Sequence, residues 1–265
     1  MSDAILLTVD EGMARLTLNR PERLNAFNAD LAHAWRDATA EAVARPDVSA
    51  ILLDAAGPSF CAGGDVIDMA ARGGSGDEIT ALAGVINTGI RSLTESAVPV
   101  VAAAHGTTAG GGLGILLSSD YAVVGARSRL GSLYANIGLT PDLSVSAQLA
   151  RAVGQRRALQ LVLQDRLLTA DEAVAWGLVA EQVAGDDAGA EAAAVRARAE
   201  EIARFWVAGA AEAYGRAKHL VRAQPERSFV EQLEVEAQTI GEAMETPEAQ
   251  ARIAAFAAAS SRRTG

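Results

Sequence analysis

Two apolar runs constrain what this chain can fold into more than any other feature. VSAILLDAA (48–56) and VPVVAAAHG (98–106) read as buried strands. Each leads into a glycine-punctuated turn, FCAGGD (60–65) after the first and TTAGGGLG (107–114) after the second. Glycine loses more chain entropy on folding than any other residue. A run of three is therefore costly unless the backbone must approach something closely. The second turn opens a short apolar helix, LGILLSSD. Around this frame, AILLTVD and MARLTLNR flank the turn EG and read as two strands. Asn28 or Asp30 is placed to cap a helix through LAHAWRDATAEAVARP. A helix is predicted over 78–95 and a strand at YAVVGA. After residue 145 the pattern is helical except for a strand at LVAEQV, and TADEAVAWG reads as a capped helix stopped by Gly177. Strands alternating with helices specify an α/β core.

Composition removes several functions. The 265 residues carry a net charge of −10, which argues against a nucleic-acid or anionic-membrane surface. No apolar run reaches the ~20 residues that span a bilayer. The start, MSDAILLTVDEG, lacks the basic region and cleavage site of a signal peptide. Cys61 is the sole cysteine, which excludes an intrachain disulfide and fits a reducing cytoplasm. His33, His105 and His219 are scattered, and with Cys61 they offer no metal-ligand spacing, so no metal site is expected.

Three uses compete for the glycine triple. A phosphate loop would need the Lys and Ser/Thr that are missing after GTTAGGGL. A dinucleotide fingerprint would need G-x-G-x-x-G, which does not occur here. A turn whose free N–H groups face developing negative charge needs only small residues. Tight packing of helix on sheet would also explain the triple. The second glycine turn, FCAGGD, shifts the balance. Two N–H donors converging on one oxygen make an oxyanion hole, and losing one such donor costs ~10²–10³ in rate.

These segments resemble the enoyl-CoA hydratase/isomerase (crotonase) superfamily. The resemblance runs through LNRPERLNAFN, GPSFCAGGDV, VPVVAAAHGTTAGGGLGILLSSDYAVV and RAVGQRRALQLVLQDRLLTADEAVAWGLV, essentially the whole chain. It implies a crotonase-like α/β core of repeated ββα units over residues 1–195, the ClpP/crotonase fold. It also implies a helical C-terminal oligomerisation domain over 196–265 that makes homotrimers or homohexamers. The implied substrate is an acyl-CoA thioester, with coenzyme A as part of the substrate and no prosthetic group. The resemblance makes the backbone N–H groups of Gly64 and Gly111 the oxyanion donors. Ala62, Gly63, Gly64, Asp65, Val66 and Ile67 would line the CoA channel, with Leu24 and Ala26 toward the adenine. Arg20, Arg23 and Arg72 are candidates for the phosphates, and Arg262 and Arg263 stand near the basic position that relatives place late in the last helix.

The carboxylates separate the members. Hydratases of this family use two glutamates, and the matching positions here are Gly114 and Tyr134. Adding water needs one group to activate it and another to exchange the α-proton, which this pair cannot do as carboxylates. Asp142, in NIGLTPDLSVSAQL, resembles the single aspartate of the family's isomerases, including the epoxyphenylacetyl-CoA isomerase type. A double-bond shift removes one proton and returns one, so a single base suffices, and burial in an apolar pocket would raise its pKa usefully. Asp142 could instead cap the helix that follows Pro141. A 4-chlorobenzoyl-CoA dehalogenase would need a base histidine where Asn87 stands and a tryptophan where Tyr134 stands. Tyr134, Gly114 and Leu139 are expected in the acyl pocket, Glu78 on a solvated helix face, His105 as a hydrogen-bonded turn residue behind the oxyanion turn, and Cys61 as a small buried residue. The reading is a double-bond isomerase driven by Asp142. The alternatives are a hydratase-like lyase using a non-standard residue and a non-catalytic acyl-CoA-binding protein.

Overall fold

The first hairpin is set by its turn. Glu11 and Gly12 both adopt positive φ (44° and 85°), and this pairs β1 (Ile5–Asp10) with β2 (Met13–Leu18) in antiparallel register, Asp10 opposite Met13. The computed structural model describes residues 3–73, 75–164 and 166–263. The side chains of Arg72, Arg262 and Arg263, three expected phosphate contacts, lie outside the described residues. Asn28 caps α1 (Ala29–Ala44) by accepting from the Leu31 N–H at 3.0 Å. The chain continues through β3 (Ala50–Ala55), α2 (Val66–Arg72), α3 (Gly76–Glu95), β4 (Val100–Ala104), β5 (Thr107–Ala109), α4 (Gly111–Leu117), β6 (Tyr121–Gly125) and β7 (Arg129–Gly131). Then follow α5 (Val145–Val153), α6 (Gln155–Val162), β8 (Leu168–Thr169), α7 (Ala170–Trp176), β9 (Glu181–Val183), α8 (Ala188–Ala208), α9 (Ala211–Ala223), α10 (Phe229–Met244) and α11 (Pro247–Arg263).

Among the described residues the strands form two sheets. A six-stranded sheet runs β1-β2-β3-β4-β6-β9, parallel after the first hairpin, and a small one runs β5-β7-β8. Every residue of β3 and β4 is buried, because helices cover both faces. Ile51 and Leu53 face the larger core with Leu31, Trp35, Ile90 and Leu93 of α1 and α3. Leu52 and Val101 face the other way, against Val195, Ala199, Ile202 and Ala203 of α8. The α1–α3 contact is close because Gly89 has no side chain: a Cβ there would sit 2.3 Å from the Trp35 indole nitrogen, which donates to the Ile86 carbonyl at 3.1 Å.

Helix α8 runs unbroken across residues 195 and 196, and its second half is buried on the sheet. The helices that stand away from the sheet begin after Gly209, where α8 ends. Ile202 and Trp206 pack on the sheet, while Phe205 and Val221 are exposed.

Candidate active site

The segment after β3 and the segment after β4 run side by side. Phe60 N–H donates to the His105 carbonyl (2.8 Å), Cys61 N–H to Thr107 O (3.2 Å) and Ala109 N–H to Cys61 O (3.0 Å). This short parallel ladder draws the two glycine turns together, and the glycines permit it sterically. A Cβ on Gly63 would meet Ala109 O at 2.9 Å and Gly111 N at 3.1 Å, and one on Gly112 would meet Cys61 O at 2.2 Å. Gly63 and Gly110 also need positive φ (104° and 53°). Beyond the turn, Phe27 N–H donates to Gly63 O (2.7 Å) and Asp65 N–H to Phe27 O (2.9 Å). Among the described residues the N–H groups of Gly64 and Gly111 donate to no protein acceptor. Two unused donors on adjacent turns can bind one oxygen that carries developing charge.

Asp142 reaches this place through Tyr134. The Tyr134 hydroxyl donates to Asp142 Oδ1 at 2.5 Å, and it lies 3.7 Å from where a Gly111 Cβ would stand. Asp142 caps no helix, since α5 begins at Ser144 without a side-chain cap and the Asp142 carbonyl, not its carboxylate, meets Val145 N–H at 2.9 Å. Burial raises the Asp142 pKa above the ordinary carboxylate value, and the Tyr134 hydrogen bond offsets part of that rise. Burial first, and then the neighbouring carboxylate, hold the Tyr134 phenol well above its ordinary value, so it stays a neutral donor.

Gly114 carries a consequence that the sequence did not reveal. Leu143 and Ser144 take left-handed backbone conformations in succession (φ 46° and 67°), and the resulting turn pushes the Leu143 carbonyl into the space beside Gly114. A Cβ on Gly114 would lie 2.0 Å from that oxygen. The place of the first hydratase glutamate is thus filled by backbone. Nothing in PDLS announces such a turn; two non-glycine residues at positive φ have no composition signal.

The expected CoA-channel residues fall into two kinds. Leu24, Val66 and Ile67 are exposed apolar side chains and Ala62 is half-buried. Ala26 and Asp65 are buried. Asp65 is an anchor: it takes a two-pronged bond from Arg23 (2.7 and 3.2 Å), accepts from Arg20 (3.3 Å) and caps α2 through Asp68 N–H (3.1 Å). The Arg23 guanidinium holds the Asp65 carboxyl down at about 2. Arg23 remains one-third exposed, so it can still face an anion while paired. Leu139 is exposed, next to the Tyr134 turn, where its N–H meets the Tyr134 carbonyl at 3.1 Å.

A cavity of about 380 Å³ lies between α1, α2 and α3, lined by Met69, Ile79, Leu82 and Val85 together with His33, Asp68 and Glu78. The Met69 methyl lies 2.8 Å from a Cβ position on Gly64, so the cavity adjoins the glycine turn. Glu78 is exposed and closes a capping box with Ser75 at the start of α3. His105 is buried, its Nε2 2.7 Å from Gly57 O, and burial lowers its pKa, which makes it a neutral support behind the turn. Cys61 is buried with its thiol pushed up to about 12, so it is inert.

Residues 8–261 match the family model for enoyl-CoA hydratase/isomerase. A 1,2-epoxyphenylacetyl-CoA isomerase of Escherichia coli (strain K12) is 34% identical over 75% of this chain and 76% of its own length. A trans-2-decenoyl-(acyl-carrier-protein) isomerase of Streptococcus mutans serotype c is 34% identical over 66% of this chain and 67% of its own. Among solved structures, an enoyl-CoA hydratase from Mycobacterium smegmatis superposes with a TM-score of 0.87 at 27% identity, covering 96% of this chain and 95% of that one.

Proposed function

The chain belongs to the enoyl-CoA hydratase/isomerase family and has its crotonase fold, and from that premise we propose that it isomerises the double bond of an acyl-CoA thioester with Asp142 as its base. In this reading Asp142 takes a proton from the carbon α or γ to the thioester. The electron pair moves onto the thioester oxygen, where the N–H groups of Gly64 and Gly111 stabilise it. Asp142 then returns the proton at the other carbon and the double bond has moved. Coenzyme A enters with the substrate, along Leu24, Ala62, Val66 and Ile67, with the exposed side of Arg23 toward its phosphates. A homotrimer or homohexamer in the cytoplasm completes the reading.

The observation that carries it is the Leu143 carbonyl beside Gly114. It leaves no room for a carboxylate at one hydratase position, and Tyr134 stands at the other. This supports a one-base proton shift, which needs only Asp142, over hydration by a glutamate pair.

The test follows solvent deuterium into a panel of enoyl-, dienoyl- and aryl-CoA thioesters by mass spectrometry. Wild type should exchange label with at least one of them. Asp142→Asn should lower that rate by ~10² or more, the range lost with a general base. Exchange that survives in Asp142→Asn would remove Asp142 from the mechanism. No exchange and no isomerised product with any thioester would favour an acyl-CoA-binding protein, and a 3-hydroxyacyl product would favour a hydratase-like lyase.

A further inference from the structure

We infer, on the basis of the isomerase reading, that Tyr134 is a positioning residue: its hydroxyl ties Oδ1 of Asp142 so that Oδ2 takes and returns the proton. A carboxylate rotates about its last bond through a broad, two-fold well, so an untied one presents either oxygen. Here Tyr134 Oη donates to Oδ1 at 2.5 Å, the length of a strong charge-assisted bond. No other described side chain bonds to that carboxylate. The same hydroxyl borders the space above Gly111, which puts the tie at the edge of the oxyanion turn rather than in remote packing.

The phenol is fixed in turn. Tyr134 opens a 3-10 turn, Tyr134–Ile137, whose preceding residue Leu133 holds positive φ (53°), and its carbonyl accepts from Gly138 and Leu139. Tyr134 is half-buried and its pKa is raised, so it donates a hydrogen bond without itself taking the substrate proton. The proton balance stays with Asp142. Oδ2 gains the proton from one carbon, the electron pair resides on the thioester oxygen, and the same Oδ2–H gives the proton to the other carbon. One oxygen serving both carbons keeps the transfer on one face of the acyl chain.

The pair also sets where Asp142 ionises. Burial disfavours the carboxylate and the Tyr134 bond favours it. Among the described residues the other titratable group facing the pair is Cys61, whose thiol is neutral. Removing the hydroxyl leaves only Asp142's own backbone N–H to oppose burial, so the Asp142 pKa rises.

The test uses Tyr134→Phe, which keeps the ring, and 3-fluorotyrosine at 134, which keeps the hydroxyl and strengthens it as a donor. Tyr134→Phe should lower kcat about tenfold or more, as a misaimed base does, with KM nearly unchanged. The acidic limb of its kcat/KM profile should move up by about one pH unit. The fluorinated protein should move that limb down. Carbon-13 NMR titration of labelled aspartate, with the Asp142 signal assigned by its loss in Asp142→Asn, reads the same pKa without turnover. An Asp142 titration that is the same in wild type and both variants would overturn the positioning role. An Asp142 titration that moves while the kcat/KM limb stays fixed would instead overturn Asp142 as the base. The fluorinated protein keeps the test decisive should Tyr134→Phe not fold.

Discussion

A side chain on Gly114 has to displace the Leu143 carbonyl, not another side chain. Overpacking a core costs about 1–3 kcal/mol when side chains can yield. At 2.0 Å the obstacle is backbone in a left-handed pair, so the cost should lie at or above the top of that range. Gly114→Ala is therefore expected to lower the melting temperature by more than about 6 °C, taking ~2–4 °C per kcal/mol for a chain near this size. A melt within 2 °C of wild type by circular dichroism would show that the Leu143 turn moves freely. Gly114→Glu with Tyr134→Glu should gain no hydratase activity. The turn that carries Asp142 would have to leave before the new carboxylate could enter.

Among the elements, α2 depends on one carboxylate. Asp65 caps it and also ties Arg20 and Arg23, on the loop between β2 and α1, to its start. The loop holding Leu24 and the turn holding Gly64 are thus fastened together. Replacing Asp65 by Asn should cost on the order of 2 kcal/mol, the range for hydrogen bonds to a charged group. The sign of the pH effect follows from the lowered pKa. The native carboxyl titrates near 2 and the unfolded one near 3.8, so the unfolded chain binds a proton first as pH falls. This contribution is complete above about pH 4 and fades toward pH 2. The melting-temperature gap between wild type and Asp65→Asn should be full at pH 7 and shrink across that window. A gap that is constant with pH would mean that the carboxylate charge contributes nothing to the anchor.

At the scale of the molecule, the last two helices are incomplete as part of a single chain. Phe229, Val230, Ile240, Met244 and Phe256 expose half or more of their surface, and residues 251–260 of α11 are exposed throughout. Such a row of large apolar side chains is far more than scattered surface hydrophobics. We expect neighbouring subunits to cover it, giving a trimer or hexamer by light scattering at micromolar concentration. Phe256→Glu should shift the population toward monomer. A wild-type monomer would overturn this expectation and leave the face unexplained.

The sequence by itself determined the six strands of the larger sheet, the caps of α1 and α7 and the two glycine turns, because these depend on local physics; the short strands β5, β7 and β8 carry no such local signal. Unbroken apolar runs mark strands covered on both faces, Asn28 and Thr169 satisfy free N–H groups at helix starts, and Gly177 accepts the left-handed turn after α7. The family motifs also identified Asp142, Gly64 and Gly111 as candidates. What only the tertiary structure decided involves atoms distant in sequence. The Tyr134–Asp142 bond depends on how a 3-10 turn and a loop approach each other. The loss of space beside Gly114 depends on a backbone oxygen 29 positions further along, whose direction is set by two positive φ angles at ordinary residues. The place where α8 belongs depends on which face of the sheet had apolar area left to cover. Local propensity reports what a segment can become, whereas these features depend on what stands opposite it.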